Sequence, residues 1–144
     1  MRTKSRVATL MRLANAALTT AGILHGDTIN DSYNGQTAGF SVTVSMSGLI
    51  PALVIYYQKA SDTRTVDRRK ILEAIGNMMH NDEEFHRKNQ NTFTAINGAE
   101  TLLRTAIGLE QKKQKILAAE VVECTVALKQ MIRTYNLEED EESE

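Results

Sequence analysis

Tryptophan is absent from this 144-residue chain, and cysteine and proline occur once each. A lone Cys124 leaves no internal disulfide, which excludes the stapled secreted folds and fits a reducing, cytoplasmic setting. One proline and eight glycines exclude collagen-like, mucin-like and glycine-rich chains. No run approaches the roughly 18 uninterrupted apolar residues of a membrane-spanning helix, so no membrane partner is expected. Glycine-rich phosphate loops, nucleophile elbows and metalloprotease motifs are missing too, which leaves an enzyme no recognisable residues and no cofactor. What is present is 42% apolar and 24% charged residues, enough for one domain with its own core.

The net charge of −1 conceals an asymmetry. Six of the 18 acidic residues fall within residues 138–144, and the remaining 17 basic against 12 acidic residues leave residues 1–137 at +5. The first acidic residue is Asp27, so Arg2, Lys4, Arg6 and Arg12 stand without a counter-charge. A basic body with an acidic tail is a charge pattern of nucleic-acid partners, although a solvated surface with a disordered tail has the same composition. One role for the tail is to mimic nucleic acid and suppress stray binding. The acid-free start also has the composition of a mitochondrial transit peptide. Its apolar stripe is equally explained by packing on a core.

Periodicity predicts an all-α domain over residues 1–137, a single bundle of about six helices, followed by a disordered tail at 138–144. Val7, Leu10, Met11, Ala14, Ala17, Leu18, Ala21 and Leu24 form one stripe of a helix over 4–24. Phe40 to Met46 alternates apolar and polar residues like a strand, yet no partner strand is evident, so 33–47 reads as helix. A third helix spans 47–59, with Ser47 as its cap and Pro51 near its start. A fourth spans 66–80, a polar connection covers 81–91, and a fifth helix covers 92–107. The sixth, 110–135, carries Leu117, Val121, Cys124, Leu128, Met131 and Tyr135 at steps of four and three, a seam that suits either core packing or a partner helix.

Two clusters resemble chemistry without supporting it. His80, Asp82, Glu83, Glu84 and His86 have metal-binding side chains, but they fall in a polar connection with no second ligand group. Cys124 lies on the seam, where a thiol is a small apolar filler rather than a nucleophile. The cations carry more. At 100° per residue, Lys115, Lys129 and Arg133 fall within about 40° of one another, opposite the seam, with Lys112 near the same side. Arg68, Arg69 and Lys70 form a second group, and Arg2, Lys4 and Arg6 a third. Both sit at predicted helix starts, where cations oppose the helix dipole and so point to an external anion. No aromatic platform for stacking bases is visible, so contact is expected with backbone and shape.

The segment order resembles the small subunit of type III-B CRISPR RNA-guided effector complexes, the small helical protein of the Cmr module. The likeness rests on a basic first helix, a second segment opening at Tyr33 and the apolar run Ser47-Gly48-Leu49-Ile50-Pro51-Ala52-Leu53-Val54-Ile55-Tyr56-Tyr57. It is completed by Leu128-Lys129-Gln130-Met131-Ile132-Arg133 in a long last helix. A tryptophan common near the end of that helix is absent here, with Ile132 or Tyr135 nearby. The resemblance implies a non-catalytic antiviral-defence subunit. Copies would stack beside repeated backbone subunits and a large polymerase-like subunit, with basic faces toward guide and target RNA. It also implies helix for 33–46. The competing readings are a protein–protein adaptor using the seam, with no nucleic-acid role, and a metal enzyme built on His80, Glu84 and His86.

Overall fold

The computed structural model describes residues 3–58 and 67–139. Helix α1 (Lys4–Thr20) is capped by Thr3, whose side chain accepts from the Arg6 N–H. It leads into a short antiparallel pair, β1 (Leu24–His25) and β2 (Thr28–Asn30). Asn30 then caps α2 (Asp31–Ser47) by accepting from the Ser32 N–H. The strand-like alternation is therefore helical, as expected. The capping role assigned to Ser47 is not: Ser47 ends α2, and the chain turns at Gly48 with φ 96° before α3 (Leu49–Tyr57). Only glycine adopts that angle without strain, so the joint between two nearly contiguous helices rests on it.

After the segment 59–66, which lies outside the described residues, come α4 (Arg69–His80) and α5 (Glu83–Lys88). The fourth helix was expected to begin at Val66, which is among those undescribed residues. Helix α5 replaces an expected polar connection, because Asp82 accepts from the Phe85 N–H and nucleates a turn that buries Phe85. The predicted helix over 92–107 is shortened to α6 (Ala99–Ile107). Its first N–H is capped from another helix, by Glu73 Oε1 at 3.0 Å from Ala99 N. Residues before it fold back, with Phe93 stacked on Phe85.

The long α7 (Gln111–Ile132) packs against α1 and α2 and touches α4, so it is the spine of the bundle. Seven helices are thus described where six were expected. The strands are a second departure. Strand β3 (Asn136–Glu138) pairs in parallel with β2, Thr28 opposite Asn136 and Asn30 opposite Glu138. Residues 140–144, most of the expected disordered tail, lie outside the described residues. The core gathers Leu10, Leu18, Phe40, Leu53, Ile75, Met78, Leu102 and Leu128 into one cluster. None of the described helices is long and apolar enough to cross a membrane.

Candidate nucleic-acid interface

The seam of α7 points inward. Leu117, Val121 and Leu128 are fully buried, Cys124 nearly so, and Met131 and Tyr135 pack at the edge. It is the bundle's own core and not a free docking stripe, which corrects the seam-based adaptor. Burial, reinforced by the nearby carboxylates of Asp82 and Glu120, pushes the Cys124 thiol up, away from the thiolate a nucleophile needs.

Opposite the seam, Lys112, Lys115 and Arg133 are exposed and Lys129 is half-buried. None of these four forms an ion pair among the described residues. They do not make a continuous track. Lys115 and Arg133 are separated by about 27 Å of helix axis, and Ile116, Ala119, Val122, Glu123 and Val126 occupy the middle of that face. The basic surface is two ends rather than one stripe.

The first turn of α2 joins the C-terminal end to a second group. Asn34 Oδ1 accepts from Arg133 Nε at 3.1 Å, and the neighbouring Tyr33 hydroxyl donates to the Asp67 carbonyl at the start of α4. Arg68, Arg69 and Lys70 therefore share an end of the bundle with Lys129 and Arg133. They are held in place. The Arg68 guanidinium lies 4.9 Å over the Tyr56 ring and donates to the Ile55 carbonyl. That of Arg69 lies 4.1 Å over Tyr57 and donates to the Tyr57 carbonyl, and Lys70 reaches the Gly22 carbonyl. Each retains N–H groups for an anion, because a guanidinium has five and an ammonium three. Burial and the Asp67 charge push the Tyr33 phenol up to about 12. Lys4 is exposed at the start of α1, and Arg2 lies outside the described residues.

Arg6 is not a surface cation, and the expectation that it faces RNA is overturned. Its side chain is 6% exposed and forms a two-pronged pair with Asp82, Nη1 to Oδ1 at 2.8 Å and Nη2 to Oδ2 at 2.7 Å. Glu84 at 3.8 Å and Glu120 at 3.7 Å complete its surroundings, and Lys88 pairs with Glu120 at 3.2 Å. Periodicity missed this because the first helix turns Arg6 onto the same side as Leu10 and Ala14. The carboxylates proposed for a metal are thus partly consumed. Asp82 serves Arg6 and the α5 cap, the His86 ring meets the His80 carbonyl at 2.8 Å, and no metal-ligating group of three is found among the described residues.

One surface escaped the sequence reading. From Ser32 to Gln58 there is no charged residue, and these residues form α2 and α3. Their outer faces expose Met46 (82%), Val42 (55%), Ile55 (41%) and Val54 (38%). The signal was available in the alternation of 40–46. In a helix, Phe40 and Val44 share the buried side, which places Val42 and Met46 on the opposite one, so the pattern marks a helix apolar on two sides.

Comparison with known proteins supplies the context. No curated protein sequence matches the chain. The X-ray crystal structure of a CRISPR-associated Cmr5 family protein from Thermus thermophilus superposes with a TM-score of 0.65, covering 94% of this chain and 99% of that one at 14% identity, a likeness of fold. Residues 10–135 match the family described as CRISPR-associated protein (Cas_Cmr5), a span that takes in all of α2 to α7 and most of α1. The chain belongs to that family, and is a small subunit of the type III-B Cmr kind.

Proposed function

We propose that this chain is a non-catalytic wall of a cytoplasmic type III-B ribonucleoprotein, stacked in copies beside the backbone subunits and the large polymerase-like subunit. Its basic ends lie against guide and target RNA. The observation that carries the reading is that Lys112, Lys115, Lys129 and Arg133 face outward without carboxylate partners among the described residues. Base pairing supplies sequence in such a complex, so the protein needs only charge and shape. The start of α1 supports it further: capped by Thr3 and bearing Lys4, its first turn carries no Asp or Glu.

Replacing Lys115, Lys129 and Arg133 together by Glu is expected to weaken RNA retention by the assembled complex about 30-fold near 50 mM salt. Helical circular dichroism should be unchanged, since none of the three is core. Retention that neither falls nor depends on salt overturns the role of these residues.

Contacts between subunits are assigned to the uncharged α2–α3 face, because desolvating it strands no charge. Val42→Asp with Met46→Glu should lower the number of copies retained per complex, read by native mass spectrometry, while the monomer keeps its melting temperature. Full copy number in this variant removes the face from the interface.

A further inference from the structure

We propose that the cavity between the end of α1, the first turns of α4 and the chain entering α6 is a ribonucleotide subsite, in which Arg69 and Lys70 hold a phosphate and Glu73 accepts from the 2′-hydroxyl. The inference rests on the RNA-facing reading above and names what lets this end of the bundle tell RNA from DNA. The cavity measures about 440 Å³, and its polar lining includes Asp67, Arg69, Lys70, Glu73, Asn77 and Asn97.

Charges of opposite sign border this space without meeting. Arg69 and Glu73 stand four residues apart on α4, the spacing at which a helix brings a cation and a carboxylate together. Each is drawn away by another partner. The Arg69 guanidinium lies over the Tyr57 ring and its Nε donates to the Tyr57 carbonyl at 2.8 Å, whereas Glu73 Oε1 accepts from Ala99 N at 3.0 Å. Lys70 reaches back to the Gly22 carbonyl at 3.4 Å. None of the three forms an ion pair among the described residues. Both Nη groups of Arg69, the ammonium of Lys70 and Glu73 Oε2 thus keep hydrogen-bonding capacity along one stretch of helix. Asp67 is engaged differently: its Oδ1 accepts from Arg69 N at 3.0 Å, at the start of the helix.

A bare phosphate does not suit this lining, because Asp67 and Glu73 repel it. A ligand with an anion and a hydroxyl donor side by side does. A ribonucleotide carries them on adjacent carbons, the 2′-hydroxyl next to the 3′-phosphate. One helical turn, about 6 Å, separates Arg69 from Glu73, which puts both groups within reach of one nucleotide. A carboxylate accepts and cannot donate, so it bonds the 2′-hydroxyl and finds nothing on a deoxyribose. Asn97 Oδ1 is taken by the Thr101 hydroxyl, leaving its Nδ2 for the ligand, and the Asn77 side-chain amide has no partner among the described residues.

The test uses the full chain and three short strands of one sequence built from A and C alone: RNA, 2′-fluoro RNA and DNA. The 2′-fluoro strand keeps the RNA-like sugar pucker and has no hydroxyl to donate. RNA should bind about tenfold tighter than either analogue near 50 mM salt. Glu73→Gln keeps an oxygen for Ala99 N and removes the charge. Its preference for RNA should fall to about twofold, while both analogues bind at least as well as they do to the native chain. A purely structural role for Glu73 would instead weaken all three strands together. Lys70→Gln should weaken all three about threefold and leave the preference intact, since the phosphate is common to them.

Equal binding of RNA and 2′-fluoro RNA by the native chain, or a preference untouched by Glu73→Gln, overturns the subsite while the basic ends still hold RNA. Failure of every strand to bind overturns the RNA-facing reading and the subsite with it. Carbodiimide labelling of Glu73 in the assembled complex tests the other class of occupant. Protection by partner subunits before RNA is added gives the cavity to a protein segment and overturns the proposal, whereas protection that arises only with RNA supports it.

Discussion

Arg6→Ala is expected to lower the folding free energy by about 3–5 kcal/mol, because it strands buried carboxylates rather than merely deleting a contact. Asp82 is 2% exposed and Glu120 8%, and both lean on this guanidinium from elements far apart in sequence. The hydrogen bonds that the Arg6 guanidinium donates to Asp82 are the largest influence holding it above its ordinary value. A cation with a raised value contributes its stability at every pH below the ordinary arginine range and loses it only above. Its side of the network is therefore constant across neutral pH. Urea unfolding of the variant should show an earlier midpoint with an unchanged slope. Arg6→Met combined with Asp82→Asn should be milder than Arg6→Ala, since the amide still caps α5 and no longer carries an unpaired charge. A loss below about 1 kcal/mol for Arg6→Ala would mean that the pair behaves as a solvated surface bridge.

The second large effect is predicted at Gly76, midway along α4. Alanine in mid-helix ordinarily stabilises by up to about 1 kcal/mol relative to glycine. Here the sign should reverse. A methyl on Gly76 would lie 2.5 Å from the Gly98 carbonyl oxygen and 2.6 Å from its carbonyl carbon and Cα, all backbone atoms of the turn that starts α6. Nothing flexible can yield, so α4 and α6 must separate, and Gly76→Ala should destabilise by about 3 kcal/mol. Gly98→Ala is the control. Its methyl would meet the end of the Glu73 side chain, which can swing aside at the expense of one hydrogen bond to Ala99 N. Thermal unfolding should place the Gly98 variant above the Gly76 variant, and the opposite order would refute the close helix approach.

These two sites show what the sequence concealed. Periods of three and four residues located α1, α3 and α7, because each buries an apolar stripe that a 3.6-residue turn must align, whereas α2 was reached only through the lack of a partner strand and the family resemblance. The seam residues were legible for the same reason, and so was the outward placement of Lys115, Lys129 and Arg133. Pairings between distant segments were not. Arg6 and Asp82 are 76 positions apart, and neither residue type announces a partner. Short strands were also invisible, since two or three residues cannot establish an alternation, and β3 lies 108 positions from its register mate in β2 (Thr28 with Asn136). The start of α6 was misplaced because its cap comes from Glu73 and not from its own flank. Of the candidate site, side-chain type gave the cations and the helical wheel gave their face. Their grouping around the first turn of α2 depends on Tyr33 and Asn34, two residues with no charge to draw attention.

The parallel pairing of β3 with β2 has a consequence for biosynthesis. Pairing that spans most of the chain forms late, since the intervening loop must close first. A polypeptide emerging from the ribosome acquires α2 and α3 well before α7 and α6, which cover the inner sides of α2 and α3 respectively. During that interval both flanks of the uncharged helices are wet, which invites aggregation between nascent chains. Slowing translation across residues 59–110 should therefore reduce the soluble yield, and co-expressed holdase chaperones should restore it.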